Sequence, residues 1–181
     1  FTLGWVNNFK YKNWTLNFVW DLKVGGDIFN ATDMYLTLQG VSKRTLDRYT
    51  PRVIQGVLND GFQNSSNPTR NTISIIPAYS QGYYTLMPEE EFIEKDVNWF
   101  RMRDITLRYN FSENMIKRMG FLKTASFFIT ANDLILMTNY TGADPSVNGN
   151  TSGTRGVGGF GFDSGNIPAP VSVNVGIRAG F

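Results

Sequence analysis

Residues 1–24 read FTLGWVNNFKYKNWTLNFVWDLKV, and their apolar side chains change parity halfway along. Phe1, Leu3, Trp5, Phe9 and Tyr11 hold odd positions, whereas Trp14, Leu16, Phe18, Trp20, Leu22 and Val24 hold even ones. Side chains of a strand alternate between two faces, so each half reads as a strand with one apolar face. A tight two-residue turn at Lys12 and Asn13 pairs Tyr11 with Trp14, Phe9 with Leu16, Trp5 with Trp20 and Leu3 with Leu22. Every such pair joins an odd residue to an even one, so the parity switch gathers the large apolar groups on one face. The other face carries Thr2 with Lys23, Gly4 with Asp21, Asn8 with Asn17 and Lys10 with Thr15.

An amphipathic hairpin of this kind fits the wall of a soluble β-sandwich or of a membrane barrel. Strand length favours the barrel. Ten residues at roughly 3.3 Å rise and about 45° tilt span near 25 Å, the height of the apolar band of an outer-membrane barrel. Trp and Tyr near the strand ends suit its aromatic girdles.

The chain has 181 residues, a net charge of +2, no Cys and no His. Without those two residue types there are no disulfides, thiolate nucleophiles, Cys/His zinc sites or His-based triads, which leaves little from which to build an enzyme. Neither a basic run nor an interleaved basic and aromatic patch is present, so nucleic acid is not an expected partner. No stretch approaches the roughly 18 apolar residues of a spanning helix, and no signal peptide precedes Phe1, which falls inside a strand. The chain is therefore expected to be a piece of a longer protein.

Further along, residues 25–94 are polar and rich in turn residues, with only a short helix expected at Ala31–Leu38, where Met34, Tyr35 and Leu38 share a face. In NWFRMRDITLRYNF, residues 98–111, Phe100 and Met102 are even, but Ile105, Leu107, Tyr109 and Phe111 are odd. Either a β-bulge at Arg103 and Asp104 or the end of the sheet accounts for that slip. Residues 112–121 read as a short helix with Ser112 as N-cap and Gly120 as its stop. A strand follows from about Ala125, with Phe128 out of pattern, then a glycine-rich loop over residues 139–170. The last strand has Val171, Val173, Val175, Ile177, Ala179 and Phe181 alternating with small or polar residues. Connections of two, about 70, about 12 and about 30 residues alternate short with long, as in outer-membrane barrels.

WFRMRDITLRYNFSENMIKRMGF, ASFFITANDLILMTNYTGADPSVN and GFDSGNIPAPVSVNVGIRAGF together resemble the C-terminal end of the SusC/RagA family of TonB-dependent outer-membrane transporters. The resemblance rests on Arg101-x-Arg103-Asp104-Ile105-Thr106-Leu107 before Tyr109-Asn110, then Asn132-Asp133-Leu134, then Tyr140-Thr141-Gly142-x-Asp144-Pro145. VGGDIFNAT at residues 24–32 is a looser counterpart. Asp133 stands where Asn is usual and Met102 where Leu is common. The resemblance implies an all-β fold, an antiparallel transmembrane β-barrel of 22 strands with a plug, of which this chain supplies the last five. It implies import of glycan or peptide fragments, a SusD-like surface lipoprotein as lid, the TonB complex as energy source acting through a segment outside this chain, and an outer membrane of Bacteroidota type. An ordinary siderophore or vitamin receptor, a small passive or structural outer-membrane barrel, and a soluble carbohydrate-binding sandwich are the competing readings.

Asp21, Lys23, Arg108 and Arg178 fall on the polar face, as solvated wall residues, substrate guides or plug anchors. Asp144, Asn148, Phe160, Phe162 and Asp163 are the candidate loop contacts to substrate or lid. Asp144, Asn148 and Asp163 lack EF-hand spacing and read as turn residues rather than calcium ligands. The loop glycines lack the GK[ST] context of a phosphate loop, and no catalytic, cofactor or metal residue is expected. Resemblance to barrel proteins generally makes Phe181 part of an assembly signal.

Overall fold

A computed structural model describes residues 1–146 and 161–181. The chain divides into two compact units, residues 1–30 with 93–181, and residues 31–92.

In the first unit, β1 (Thr2–Tyr11) and β2 (Trp14–Lys23) form the expected hairpin, with Leu3 opposite Leu22, Trp5 opposite Trp20 and Tyr11 opposite Trp14. Lys12 takes a positive φ of 51° at the turn. β3 (Ile28–Asn30) follows. The second unit holds α1 (Ala31–Leu38), the short strands β4 (Arg52–Val53) and β5 (Ser74–Ile75) paired antiparallel, and three 3₁₀ turns. The chain re-enters the first unit with β6 (Ile93–Glu94), β7 (Trp99–Asn110), α2 (Glu113–Met119), β8 (Thr124–Thr138), β9 (Phe162–Asp163) and β10 (Ser172–Gly180). The main sheet is antiparallel in the order β1-β2-β7-β8-β10, and a small one has the order β6-β3-β9.

Register places every large apolar strand residue but a few on one face. Leu16 meets Leu107, Leu107 meets Ile129, and Ile129 meets Val175, so one apolar row crosses four strands. Trp5, Phe9 and Phe18 form an aromatic cluster on that face, and Trp20 stacks on Phe100 with ring planes 2° apart. The face is uncovered: Leu3, Trp5, Val173, Val175 and Ile177 are 56–76% exposed. The opposite face is polar, with Thr106 and Thr130 hydroxyls 2.8 Å apart and the Asn132 amide donating to Ser172 Oγ at 3.0 Å. The core of this unit lies beside the small sheet, where Ile28, Val97 and Tyr140 are buried together.

The parity slip in β7 is a bulge. Val19 pairs with Asp104 and Trp20 with Met102, leaving Arg103 as the extra residue. Without it Met102 and Phe100 would turn to the polar face. Phe128 belongs to the polar face, and its place is made by a glycine: a Cβ on Gly176, its cross-strand partner, would lie 2.4 Å from the Phe128 ring.

Ser112 stands at the N-cap of α2, but its carbonyl rather than its hydroxyl takes up the helix amides, accepting from Met115 and Ile116 at 3.0 Å. Gly120 ends the helix at φ 70°. α1 has the expected span with a different inner face, since Ala31 and Thr37 are buried and Tyr35 is 58% exposed. Thr37 is fully buried in the second unit, with no hydrogen-bond partner for its hydroxyl among the described residues. There Asp33 accepts from Ser42 Oγ and Arg44 Nε, both at 2.6 Å.

Candidate functional site

The bulge gathers charge at one end of the main sheet. Asp21 on β2 lies opposite Arg101 on β7, and bulged Arg103 reaches back to Asp21 with Nε 2.6 Å from Oδ2. On the other side β8 answers with an irregularity of its own. Asp104 pairs with Asn132 and Met102 with Ile135, so Asp133 and Leu134 together oppose Arg103. Simple alternation would place Asp133 on the apolar face with Ala131 and Ile135. Instead its backbone takes φ 49°, a left-handed conformation that Asp and Asn tolerate best among residues with a side chain. Its carboxylate thereby meets Arg101 Nη1 at 3.0 Å and lies 3.6 Å from Arg103 Nη1. Asn is the other residue suited to that backbone.

Arg101 is 2% exposed, and its Nη2 contacts the carboxylate of Asp144 from the loop after β8. Asp144 also accepts from the Ser146 amide and hydroxyl, each at 2.8 Å. Burial opposes its ionisation, but the bonds from Arg101 and Ser146 outweigh this and hold the carboxyl below the ordinary carboxylate range. The result is a chain of alternating charge, Asp21–Arg103–Asp133–Arg101–Asp144, from the strand wall into the loop.

The same loop is tied down by its neighbours. The Tyr140 hydroxyl donates to Asp163 Oδ2 at 2.5 Å, joining the end of β8 to β9. The Thr141 amide and hydroxyl donate to Glu94 at 2.9 and 2.5 Å, and Asn30 donates to the same carboxylate at 2.8 Å. Gly142 has no room for a side chain, since a Cβ there would lie 2.3 Å from the Tyr140 ring. Each of Tyr140, Thr141, Gly142 and Asp144 therefore has a structural task, and together they form a footing for the loop that is buried at Tyr140 and Asp144.

Among the expected loop contacts, Asp144 and Asp163 are each 4% exposed and engaged in this footing, whereas Phe162 is 45% exposed beside Phe29. Asn148 and Phe160 lie outside the described residues. On the polar face Asp21 is taken by Arg103. Lys23, Arg108 and Arg178 make no ion pair among the described residues, and Arg108 Nε is out of solvent without an acceptor. Phe181 is 75% exposed and stacks on Phe121 with centroids 6.1 Å apart. No group of three His, Cys, Asp or Glu among the described residues is placed to hold a metal ion. No helix among them is long and apolar enough to cross a membrane, which says nothing of strands.

The residues that sequence reasoning did not single out as a site are Arg101, Asp133, Glu94 and Tyr140. One signal was available: two arginines and an Asp clustered at the parity slip, where an irregular backbone brings polar side chains to one face.

No protein-family model matches the chain. Over its full length it is 26% identical to TonB-dependent receptor P3 of Formosa agariphila and, over 98% of its length, 25% identical to TonB-dependent receptor P26 of the same organism. The chain is thus similar to TonB-dependent receptors over nearly its whole length. It spans 16% of the length of these relatives. In fold it is similar to the RagAB peptide importer in the open-open state, with a TM-score of 0.60 at 16% identity over 99% of this chain and 17% of that one. The closed-closed state matches at 0.57 and 16% identity, over 96% of this chain and 17% of that one. In fold the antiparallel sheet thus matches a fragment of a TonB-dependent barrel, and the SusC/RagA likeness of its motifs is met by that fold.

Proposed function

We propose that this chain is part of the wall of a SusC/RagA-type importer in the outer membrane of a Gram-negative bacterium of the Bacteroidota, taking up glycan or peptide fragments. One observation carries the reading. The five-stranded sheet has a continuous apolar face left uncovered, a polar opposite face, and edge strands β1 and β10 paired on one side only. Unpaired backbone groups cost several kcal/mol each in hydrocarbon, so such a sheet needs further strands to close it. In this reading the barrel has 22 strands and a plug, residues 25–94 and 139–170 face the exterior, a SusD-like lipoprotein covers the opening, and TonB supplies energy. Lys23, Arg108 and Arg178 face the lumen, where their unpaired cations meet plug or substrate. Asp144 and Asp163 act by holding the loop that presents Asn148, Phe160 and Phe162, and Phe181 serves assembly. No catalytic or cofactor role is assigned.

The test is made on the full-length protein in its own bacterium. A heat-modifiable species in the outer-membrane fraction, a co-purifying surface lipoprotein, and TonB-dependent growth on an oligosaccharide or peptide mixture are expected. Release without detergent would overturn the barrel reading. Uptake confined to a ferric siderophore or vitamin, with no lipoprotein, would replace it by the ordinary receptor.

A further inference from the structure

The two ends of the main sheet differ in charge. The β1–β2 turn, α2 and Phe181 share one end, where Lys10, Arg108 and Arg178 stand on the polar face and Lys12, Lys117, Arg118 and Lys123 outside it. Glu113 is the only acidic side chain there among the described residues. The other end is acid-rich, since Asp27, Glu94 and Asp96 lie there and Arg101 and Arg103 are taken up by Asp21, Asp133 and Asp144.

At the basic end the side chains change with depth. The aliphatic row through Leu107 and Ile129 gives way to an aromatic one. Trp14 lies opposite Tyr11 and Tyr109, its ring centroid 4.8 Å from that of Tyr109, and Phe111 meets Tyr109 edge-on at 5.5 Å. Cations follow directly. Lys12 holds Nζ 5.3 Å over the Tyr11 ring, and the chain leaves Phe111 into α2, which carries Lys117 and Arg118. Aliphatic, aromatic and cationic layers in that order match the acyl chains, the interface and the phosphates of one leaflet.

The exit of α2 repeats the order on a smaller scale. Met115, Met119 and Phe121 are exposed, and Phe121 stacks on exposed Phe181. Lys123 donates its backbone amide to the Gly180 carbonyl at 2.7 Å, which places it beside that stack. Lys117 has only Glu113, 3.8 Å away with both side chains more than three-quarters exposed, a pair worth little in water. Arg118 and Lys123 make no ion pair among the described residues. Neighbouring cations without acids repel one another, and a negatively charged surface turns that repulsion into attraction while the flanking apolar side chains insert.

We propose that this end of the sheet seats on anionic phospholipid, with Lys117, Arg118 and Lys123 on headgroup phosphates and Phe121 and Phe181 at the acyl boundary. The proposal rests on the reading of the apolar face as the lipid-facing wall of a barrel and adds a headgroup preference to it.

The experiment uses the full-length protein in detergent, titrated with dioleoylphosphatidylglycerol or dioleoylphosphatidylcholine and read by native mass spectrometry. The two lipids share their chains and differ in headgroup charge. Tighter binding of the phosphatidylglycerol, its loss by at least about fivefold in Lys117→Gln/Arg118→Gln/Lys123→Gln, and no change for the phosphatidylcholine are expected. Lys117→Arg/Lys123→Arg and, at the far end, Lys95→Gln should keep the preference, and about 0.5 M salt should reduce it. Phe121→Ser should weaken both lipids alike. Equal binding of the two lipids by the parent, or a preference unchanged in the triple variant, overturns the proposal. Loss of a co-purifying acidic protein from the triple variant, with lipid binding unaltered, assigns the surface to a protein and overturns it too. Those results leave the barrel reading standing while the protein needs detergent and is heat-modifiable, whereas a protein that stays monodisperse without detergent and retains neither lipid removes both.

Discussion

Arg101 of β7 and Asp144 of the loop after β8 meet in an ion pair from which solvent is excluded, each side chain being no more than 3% exposed. The pair couples the strand wall to the loop, because Arg101 also holds Asp133 and Asp144 also holds Ser146. Removing one partner of a buried pair leaves an uncompensated charge at a cost of about 3–5 kcal/mol. Asp144→Ala should therefore free the loop footing. In the assembled protein, amide exchange at Thr141, which donates to Glu94, should accelerate strongly, while exchange in the centre of β2 stays unchanged. Equal protection in variant and parent would show that the pair does not hold the loop.

Acid should release the same contact. The Asp144 carboxyl is held below its ordinary value of 3.8, so its stabilising contribution is complete above that value and is lost as pH falls through the lower folded one. Loop protection is expected to stay level from neutral pH down to about 4.5 and to fall at lower pH. Asp144→Asn should remove this acid step, and an identical acid profile in that variant would assign the step to another group.

Gly142 and Tyr140 form a steric pair that a double-substitution cycle can read. Gly142→Ala puts a methyl group into the Tyr140 ring and should push its hydroxyl off Asp163, at a cost of about 1–3 kcal/mol. Adding Tyr140→Ala relieves the clash, so the two changes together should cost less than their sum. Thermal midpoints of the full-length protein and its three variants measure this, and strict additivity would count against the clash.

Deleting Arg103 should be far more damaging than Arg103→Ala. Substitution loses the link to Asp21 and leaves the strand in place, whereas deletion closes the bulge and turns Met102 and Phe100 to the polar face. The expected outcome is a heat-modifiable band for Arg103→Ala and little or none for the deletion. Equal assembly of both would mean that the bulge is dispensable.

Strand-level architecture was legible in residues 1–24 because a strand's side-chain period is two, and a tight turn converts one parity into the other without remainder. The pairing of Leu3 with Leu22 and Trp5 with Trp20 follows from the residues alone. The bulge showed as a break in parity, and α2 as Ser112 and Gly120 at either end of a short helix. Phe128 stayed unexplained, since its fit depends on a missing side chain at Gly176 on another strand. The charged footing was hidden for a related reason. Asp133 reaches Arg101 only because its backbone turns left-handed, and Asp144 and Asp163 are buried only because distant segments close over them. Local periodicity tells which way a side chain points from a regular strand. Where the backbone leaves that regularity, charge is paired by contacts between residues far apart in the chain, and only the folded chain decides them.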